Sequence, residues 1–357
     1  MTSKDMERQN KKYPTVLAAY VMDQNLPSVT AEDAKRLTHL NVAFGLIQNH
    51  VVQTSHLKNL GVFPELRQAN PQITIILSIG GWGAGGFSEA AATRETRKIF
   101  VDSAITAMLQ GGFDGIDIDW EYPCIAVAGI AADPKDKVNF TALCKELREA
   151  LNRQSEQDKR PYFLSIAAGA DQYFIDSTEM DQVQEVLDLV QLMTYDMRGG
   201  FQTLTGHHTG LFTGTGDLNR ISVDASVQLF LNAGVPRHKI VIGAAFYARK
   251  WKGVPDKNHG LYQMAESSGG YGARYGELVR SYIDQNGYKR YWDDEAKAPY
   301  LFNGNEFISY DDPLSLKYKA QYVRENGLRG IMYWEHGGDE TRTLLQTLYE
   351  ELFCKSC

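Results

Sequence analysis

Asp117, Asp119 and Glu121 stand two residues apart in the stretch from Phe113 to Pro123, alternating with Ile116, Ile118 and Trp120. The stretch opens after Gly111 and Gly112, which can stop a helix, and closes at a proline, so the spacing predicts a strand of about nine residues. Side chains of a strand alternate between its faces, which puts the three acids on one side and Ile, Ile, Trp on the other. Neighbouring acids then start roughly 6.6 Å apart at the backbone and can lean closer through their side chains. Three carboxylates at that distance cannot all ionise cheaply, and at least one should keep its proton near neutral pH. A solvated face or a hard-cation site is the plainer reading. The apolar opposite face, however, suits burial against helices and turns the acids toward a structured interior, where a row of acids is costly without a use. Calcium carboxylates usually come from loops at mixed spacing, so no metal is assigned.

At 357 residues with 43% hydrophobic content, the chain can bury a large core. It is long for one ordinary domain but within reach of an α/β barrel with insertions. A net charge of −7 without a lysine and arginine patch argues against a nucleic-acid partner. Nineteen Tyr, fifteen Phe and five Trp suit sugar faces as well as cores.

The elements that must carry the acids follow in order. Thr15 to Val21 reads as a first strand ending on Tyr20, and Thr30 with Asp33 as a capping box for a helix through Leu37. A second strand, Leu40 to Phe44, precedes a helix from Leu57 to Ala69. Ile73 to Ser78 is the third strand, running into Ser78-Ile-Gly80-Gly81-Trp82. Val101, Ile105, Met108 and Leu109 mark an amphipathic helix before the acid strand, the fourth. Asp133 and Pro134 read as N-cap and first residue of the next helix, with Phe140, Leu143, Leu147 and Leu151 as its buried face. Tyr162 to Ala168 is a fifth strand, Met180 to Leu187 a helix, Leu189 to Tyr195 a sixth strand, and Ser222 caps a helix that stops at Gly234. Lys239 to Tyr247 is the seventh strand. After an interruption, Asp312 and Pro313 start a helix, Gly330 to Trp334 forms the eighth strand, and Leu344, Leu348 and Leu352 line a last helix.

Eight alternating strand and helix units imply a closed parallel (β/α)8 TIM barrel, α/β in class, with its chemistry at the carboxyl ends of the strands. Tyr20, Phe44, Ser78, Asp119, Glu121, Tyr195, Tyr247 and Trp334 all fall at or near those ends. Each alone could be packing; together they ring one mouth. The barrel is expected over residues 13–247 and 312–353.

At these residues the chain resembles family 18 glycoside hydrolases, the chitinases and their relatives. Asp114-Gly-Ile-Asp117-Ile-Asp119-Trp-Glu121 is similar to the family's fourth-strand signature, Ser78-Ile-Gly80-Gly81-Trp82 to its third-strand motif, Met193-Thr-Tyr195-Asp196 to its sixth and Tyr333-Trp334 to its eighth. The four motifs lie in the right order and in register with the eight units. The resemblance implies retaining hydrolysis assisted by the substrate, an exception among glycosidases that otherwise use two carboxylates. It makes Glu121 the general acid and then base, and Asp119 the group that orients the acetamido N–H and stabilises positive charge. Asp117 stands behind, sharing a proton with Asp119. The sugar's own N-acetyl carbonyl attacks the anomeric carbon, and Tyr195 donates its hydroxyl to that carbonyl oxygen. Asp196 and Met193 shape the pocket, Trp334 forms its floor, and Tyr20, Phe44, Trp82 and Tyr122 are further candidates for sugar contact.

The interruption between Tyr247 and Asp312 is about sixty residues, too long for a barrel connection. With Trp251, Tyr262, Tyr271, Tyr275, Tyr288, Tyr291 and Trp292, residues 248–311 resemble the small α+β insertion of the deep-cleft branch of the family, between strands seven and eight. Tyr247 and Arg249 at its edge are candidates to reach sugars. Ala245 departs from the proline of many relatives. Adjacent His207 and His208 diverge and do not read as metal ligands, so a substrate-loop or surface role is expected. The Gly-rich stretch Gly80 to Gly86 lacks the phosphate-loop lysine, and no cofactor is expected.

Cys124, Cys144, Cys354 and Cys357 are too few for a disulfide framework, and Cys354-Lys-Ser-Cys357 reads as incidental. Met1 to Lys12 is polar, with no visible signal peptide or membrane anchor, although a polymeric substrate leads one to expect an extracellular site of action. The partners expected are chitin or N-acetylglucosamine oligosaccharides, with no nucleic acid and no membrane, and the protein itself is expected to be a monomer. Two alternatives stand beside the chitinase: an oligosaccharide-binding lectin-like protein, and an endo-β-N-acetylglucosaminidase acting on other glycans. Retention of both Glu121 and Asp119 favours turnover.

Overall fold

The computed structural model describes residues 13–354. Its strands are β1 (Val16–Met22), β2 (His39–Gln48), β3 (Val51–Gln53), β4 (Thr74–Gly80), β5 (Gly115–Asp119), β6 (Phe163–Gly169), β7 (Leu189–Met193) and β8 (Ile240–Ala245). β9 (Tyr247–Lys252), β10 (Gly270–Arg274), β11 (Lys289–Asp293), β12 (Ala298–Phe302), β13 (Glu306–Ser309) and β14 (Gly330–Trp334) follow. Eight of these pair in parallel in the order β1-β2-β4-β5-β6-β7-β8-β14 and back to β1, which closes a (β/α)8 barrel. β3 only folds back on β2 as an antiparallel hairpin.

Strand alternation divides the core in two. Outward residues such as Leu77, Ile79, Ile116, Ile118, Ile166, Leu192 and Ile242 join the large cluster beneath the helices. Inward residues Val16, Ala18, Tyr20, Ala167, Leu189, Met193, Val241 and Met332 form a smaller core inside the barrel. That inner core is interrupted by Asn41, Ser78, Asp117, Ser165 and Gln191, all fully buried. Polar groups so placed must satisfy one another, and this is where the site begins.

The capping expectations at Thr30, Ser222 and Asp312 hold: each side chain accepts from a backbone N–H of the first helical turn. Two others are corrected. The acid strand has five residues and ends at Asp119, so Glu121 lies just beyond it. Asp133 does not cap its helix, which runs Asp136–Asp158 without a side-chain cap. Instead the buried Asp136 carboxylate takes bonds from Ser88 Oγ (2.7 Å) of the short helix Phe87–Ala91 and from the Asp133 N–H (2.8 Å) and the Cys124 N–H (3.2 Å) of the loop before its own helix.

Between β8 and β14 the chain builds an antiparallel five-stranded sheet, ordered β10-β9-β13-β12-β11, with a helix over Tyr275–Ser281. It has its own apolar cluster of Trp251, Val254, Leu261, Tyr300, Phe302 and Phe307. Cys124, Cys144 and Cys354 are unbridged. The expectations for Met1 to Lys12 and for Cys357 fall outside the described residues.

Candidate active site

Register places Ser78 of β4, Asp117 of β5 and Ser165 of β6 side by side in one layer of the barrel. Asp117 accepts from Ser78 Oγ (2.8 Å) and Tyr20 Oη (2.8 Å) on one oxygen, and from Ser165 Oγ (2.7 Å) and Gln191 Nε2 (3.1 Å) on the other. Gln191 is oriented by Asn41, whose Nδ2 donates to its Oε1 at 3.1 Å. Burial raises the Asp117 pKa, against the four hydrogen bonds that stabilise its anion.

One layer higher, Asp119 is 4% exposed and its Oδ1 has no hydrogen-bond partner. Burial, then the charges of Glu121 and Asp117, hold its carboxyl well above the usual range. No hydrogen bond joins it to Asp117, whose acceptor positions are already filled. Glu121 is partly exposed at the mouth. Burial and, more weakly, the charge of Asp196 push it up to about 7, against a hydrogen bond from Tyr122. A strand of acids thus grades from a saturated, buried carboxylate at its base to an open carboxyl at its tip.

Asp196 is held from the far side. Its two oxygens take Arg249 Nε and Nη2, both at 2.6 Å, and its N–H donates to His208 Nδ1 at 3.4 Å. Burial alone would raise its pKa, but the bonds with His208 and Arg249 bring it well below the carboxylate range. His208 and His207 are both buried, which corrects the surface expectation: His208 backs Asp196, and His207 Nε2 meets Asp293 of β11 at 2.9 Å. Arg249 also lies over the Tyr271 ring at 3.8 Å.

The aromatic candidates fall into two groups. Trp334 stacks with Phe44 (ring centroids 5.6 Å, 16°) and tilts against Tyr20 (6.0 Å). The Phe44 ring occupies the space a Gly81 side chain would need, a Cβ there lying 2.6 Å from it. Tyr195 packs edge-on to Tyr247 (6.2 Å) and close against Gly243, where a Cβ would come within 2.9 Å of its ring. Its hydroxyl points toward Met332 Sδ at 3.8 Å, and Met193 lies in the same inner core. Trp82, half exposed, stands apart from the floor and instead meets Tyr122 (6.5 Å) and Phe201 (6.4 Å).

Sequence reasoning missed Gln191, Ser165 and Asn41 beneath the acids, His208 behind Asp196, and the exposed Phe201. The first two carried a signal, because each is a polar residue at an inward position of an otherwise apolar strand. His208 and Phe201 sit in an irregular loop, where periodicity says nothing.

A closed (β/α)8 barrel with a graded acid row at the carboxyl end of one strand has the build of a glycoside hydrolase. The sequence model for "Glycosyl hydrolases family 18" matches residues 8–339. The chain belongs to that family. It is 38% identical over 311 residues to Chitinase A1 of Niallia circulans, covering 82% of this chain and 44% of that protein. It is 31% identical over 341 residues to Chitotriosidase-1 of Mus musculus, covering 90% of this chain and 73% of that one. The chain therefore spans less than half the length of Chitinase A1. Among solved structures, a family 18 N-acetylglucosaminidase from Paenibacillus barengoltzii superimposes with a TM-score of 0.94 at 62% identity, over 95% of this chain and 100% of that one.

Proposed function

We propose that the protein hydrolyses β-1,4-N-acetylglucosaminide linkages of chitin and its oligosaccharides with retention of configuration, using the substrate's acetamido group as nucleophile. The observation that carries this reading is the unpartnered Asp119 Oδ1 between a saturated Asp117 and a Glu121 poised near neutrality. An acceptor with nothing to accept suits a substrate N–H. Glu121, protonated below about 7, gives its proton to the glycosidic oxygen and later takes one from water. Asp119 accepts from the acetamido N–H and offsets the charge of the oxazolinium ion. Tyr195 donates to the acetamido oxygen, and Trp334 forms the floor under the sugar, with Tyr20 and Phe44 bracing it. Met193, Asp196, Tyr247 and Arg249 shape the opposite wall, Trp82 and Tyr122 extend the groove, and residues 248–311 form an insertion that deepens it.

A second reading concerns what is released. The 62% identity with a protein described as an N-acetylglucosaminidase, over that protein's whole length, favours removal of single sugars. Oligomers of two to six N-acetylglucosamine units, with products resolved by length, test both readings. Monosaccharide as the first product from every length supports the N-acetylglucosaminidase, and disaccharide from the longer ones the chitinase. Binding without products would leave the lectin-like alternative.

A further inference from the structure

Lys319 is completely buried on the helix Pro313–Asn326, outside the barrel wall and away from the acids. Its Nζ lies 2.6 Å from Asp311 Oδ2 and 2.6 Å from Thr209 Oγ1. A buried ammonium is costly, and replacing a buried ion pair by apolar side chains is often neutral or stabilising, so the pair is weak evidence of a role in stability. What this pair touches suggests its use. Asp311 accepts the Ala245 N–H at 3.1 Å, and Ser315 Oγ on its other oxygen at 2.7 Å. Thr209 lies 2.9 Å from the carbonyl of Thr194 and 3.3 Å from Asp311. An ammonium has no lone pair, so Thr209 Oγ must accept from it, and its single hydrogen goes to the nearer acceptor, the Thr194 carbonyl. Thr194 itself is tied to β8 by both its hydroxyl bonds, to the Gly243 carbonyl (2.9 Å) and from the Gly243 N–H (2.7 Å).

The next residue after Thr194 is Tyr195, and two residues after Ala245 is Tyr247, the ring that Tyr195 packs against. One ion pair therefore grips the backbone behind both tyrosines.

We propose that Lys319 is a positioning residue that acts through Thr209 and the Thr194 carbonyl to aim the Tyr195 hydroxyl at the substrate. The inference rests on the reading of Tyr195 as the group that holds the acetamido oxygen.

The test is a double-mutant cycle in kcat on N-acetylglucosamine oligomers, with Lys319→Met, Tyr195→Phe and the pair together. Lys319→Met is expected to lower kcat about tenfold with KM within about twofold, and the pair to be no slower than Tyr195→Phe alone. Thr209→Val, which cuts the link while leaving the ion pair in place, is expected to repeat that loss and that non-additivity, and it decides the matter if Lys319→Met does not fold. Multiplying effects in either cycle would reduce Lys319 to a structural role and overturn the proposal, leaving the role of Tyr195 intact. An undiminished kcat in Tyr195→Phe would overturn both.

Discussion

Asp117 and Asp119 sit two residues apart on one strand, both buried, and differ in one respect: Asp117 receives four hydrogen bonds while Asp119 Oδ1 receives none. The lower carboxylate is solvated by the protein, and the upper one waits for a partner. In Asp119→Asn the side chain can no longer ionise against the oxazolinium charge, and an N–H can face the acetamido N–H. A fall in kcat of about two orders of magnitude is expected, with oligosaccharide binding largely kept. Steady-state kinetics beside calorimetric binding would check it. Oligomers of glucosamine, lacking the acetyl group, should be left uncut by the parent.

The pH dependence follows from Glu121. Its carboxyl must be protonated to act as the acid, so kcat/KM should fall as pH rises through about 7. Arg249 now offsets the Asp196 charge that presses on Glu121. Arg249→Met leaves that charge less compensated, raises the Glu121 pKa and should move the alkaline limb upward. A downward shift in the measured pH profile would sink this account of Asp196.

Stability carries the same sign. Glu121 has a folded pKa near 7 against an ordinary value of 4.5, so the folded state binds more protons across that window. Parent stability therefore declines as pH rises through it. Glu121→Gln has no proton to lose there. Its melting temperature relative to the parent should climb between about pH 5 and pH 8, as read by paired thermal scans.

Beneath the acids, Gln191→Leu removes a donor to Asp117 and strands the Asn41 amide. Each buried group left unmatched costs about 1–3 kcal/mol, so urea unfolding should report a loss of that order. Replacing Trp334 with Ala instead removes the partner of Phe44 and Tyr20 at the mouth. Both a higher KM and a lower kcat are expected there, about a hundredfold in kcat/KM together, since a buried aromatic surface is lost to substrate and to transition state alike.

The barrel was legible because alternation is a local property: Ile116, Ile118 and Trp120 are on the outer side, as the pattern Ile-Asp-Ile-Asp-Trp-Glu requires. Spacing put Asp117, Asp119 and Glu121 on one face, and the resemblance alone gave each a separate expected role; the difference in their surroundings depends on Tyr20, Ser78, Ser165 and Gln191 arriving from four other strands. The acid strand was overestimated because it leaves the sheet at Asp119 while its alternation of side chains continues. Asp133-Pro134 misled because a good capping pair was engaged in a loop around Asp136. His207 and His208 were misplaced because what buries them, the sheet of β9 to β13, is distant in sequence.

The most direct test is hydrolysis of an N-acetylglucosamine hexamer followed by anomer-resolved NMR, with Glu121→Gln alongside the parent. The account predicts β-anomeric products at first release from the parent, and binding with almost no turnover in the variant. α-Anomeric first products would contradict retention, and a near-parent rate in Glu121→Gln would contradict the assignment of the acid.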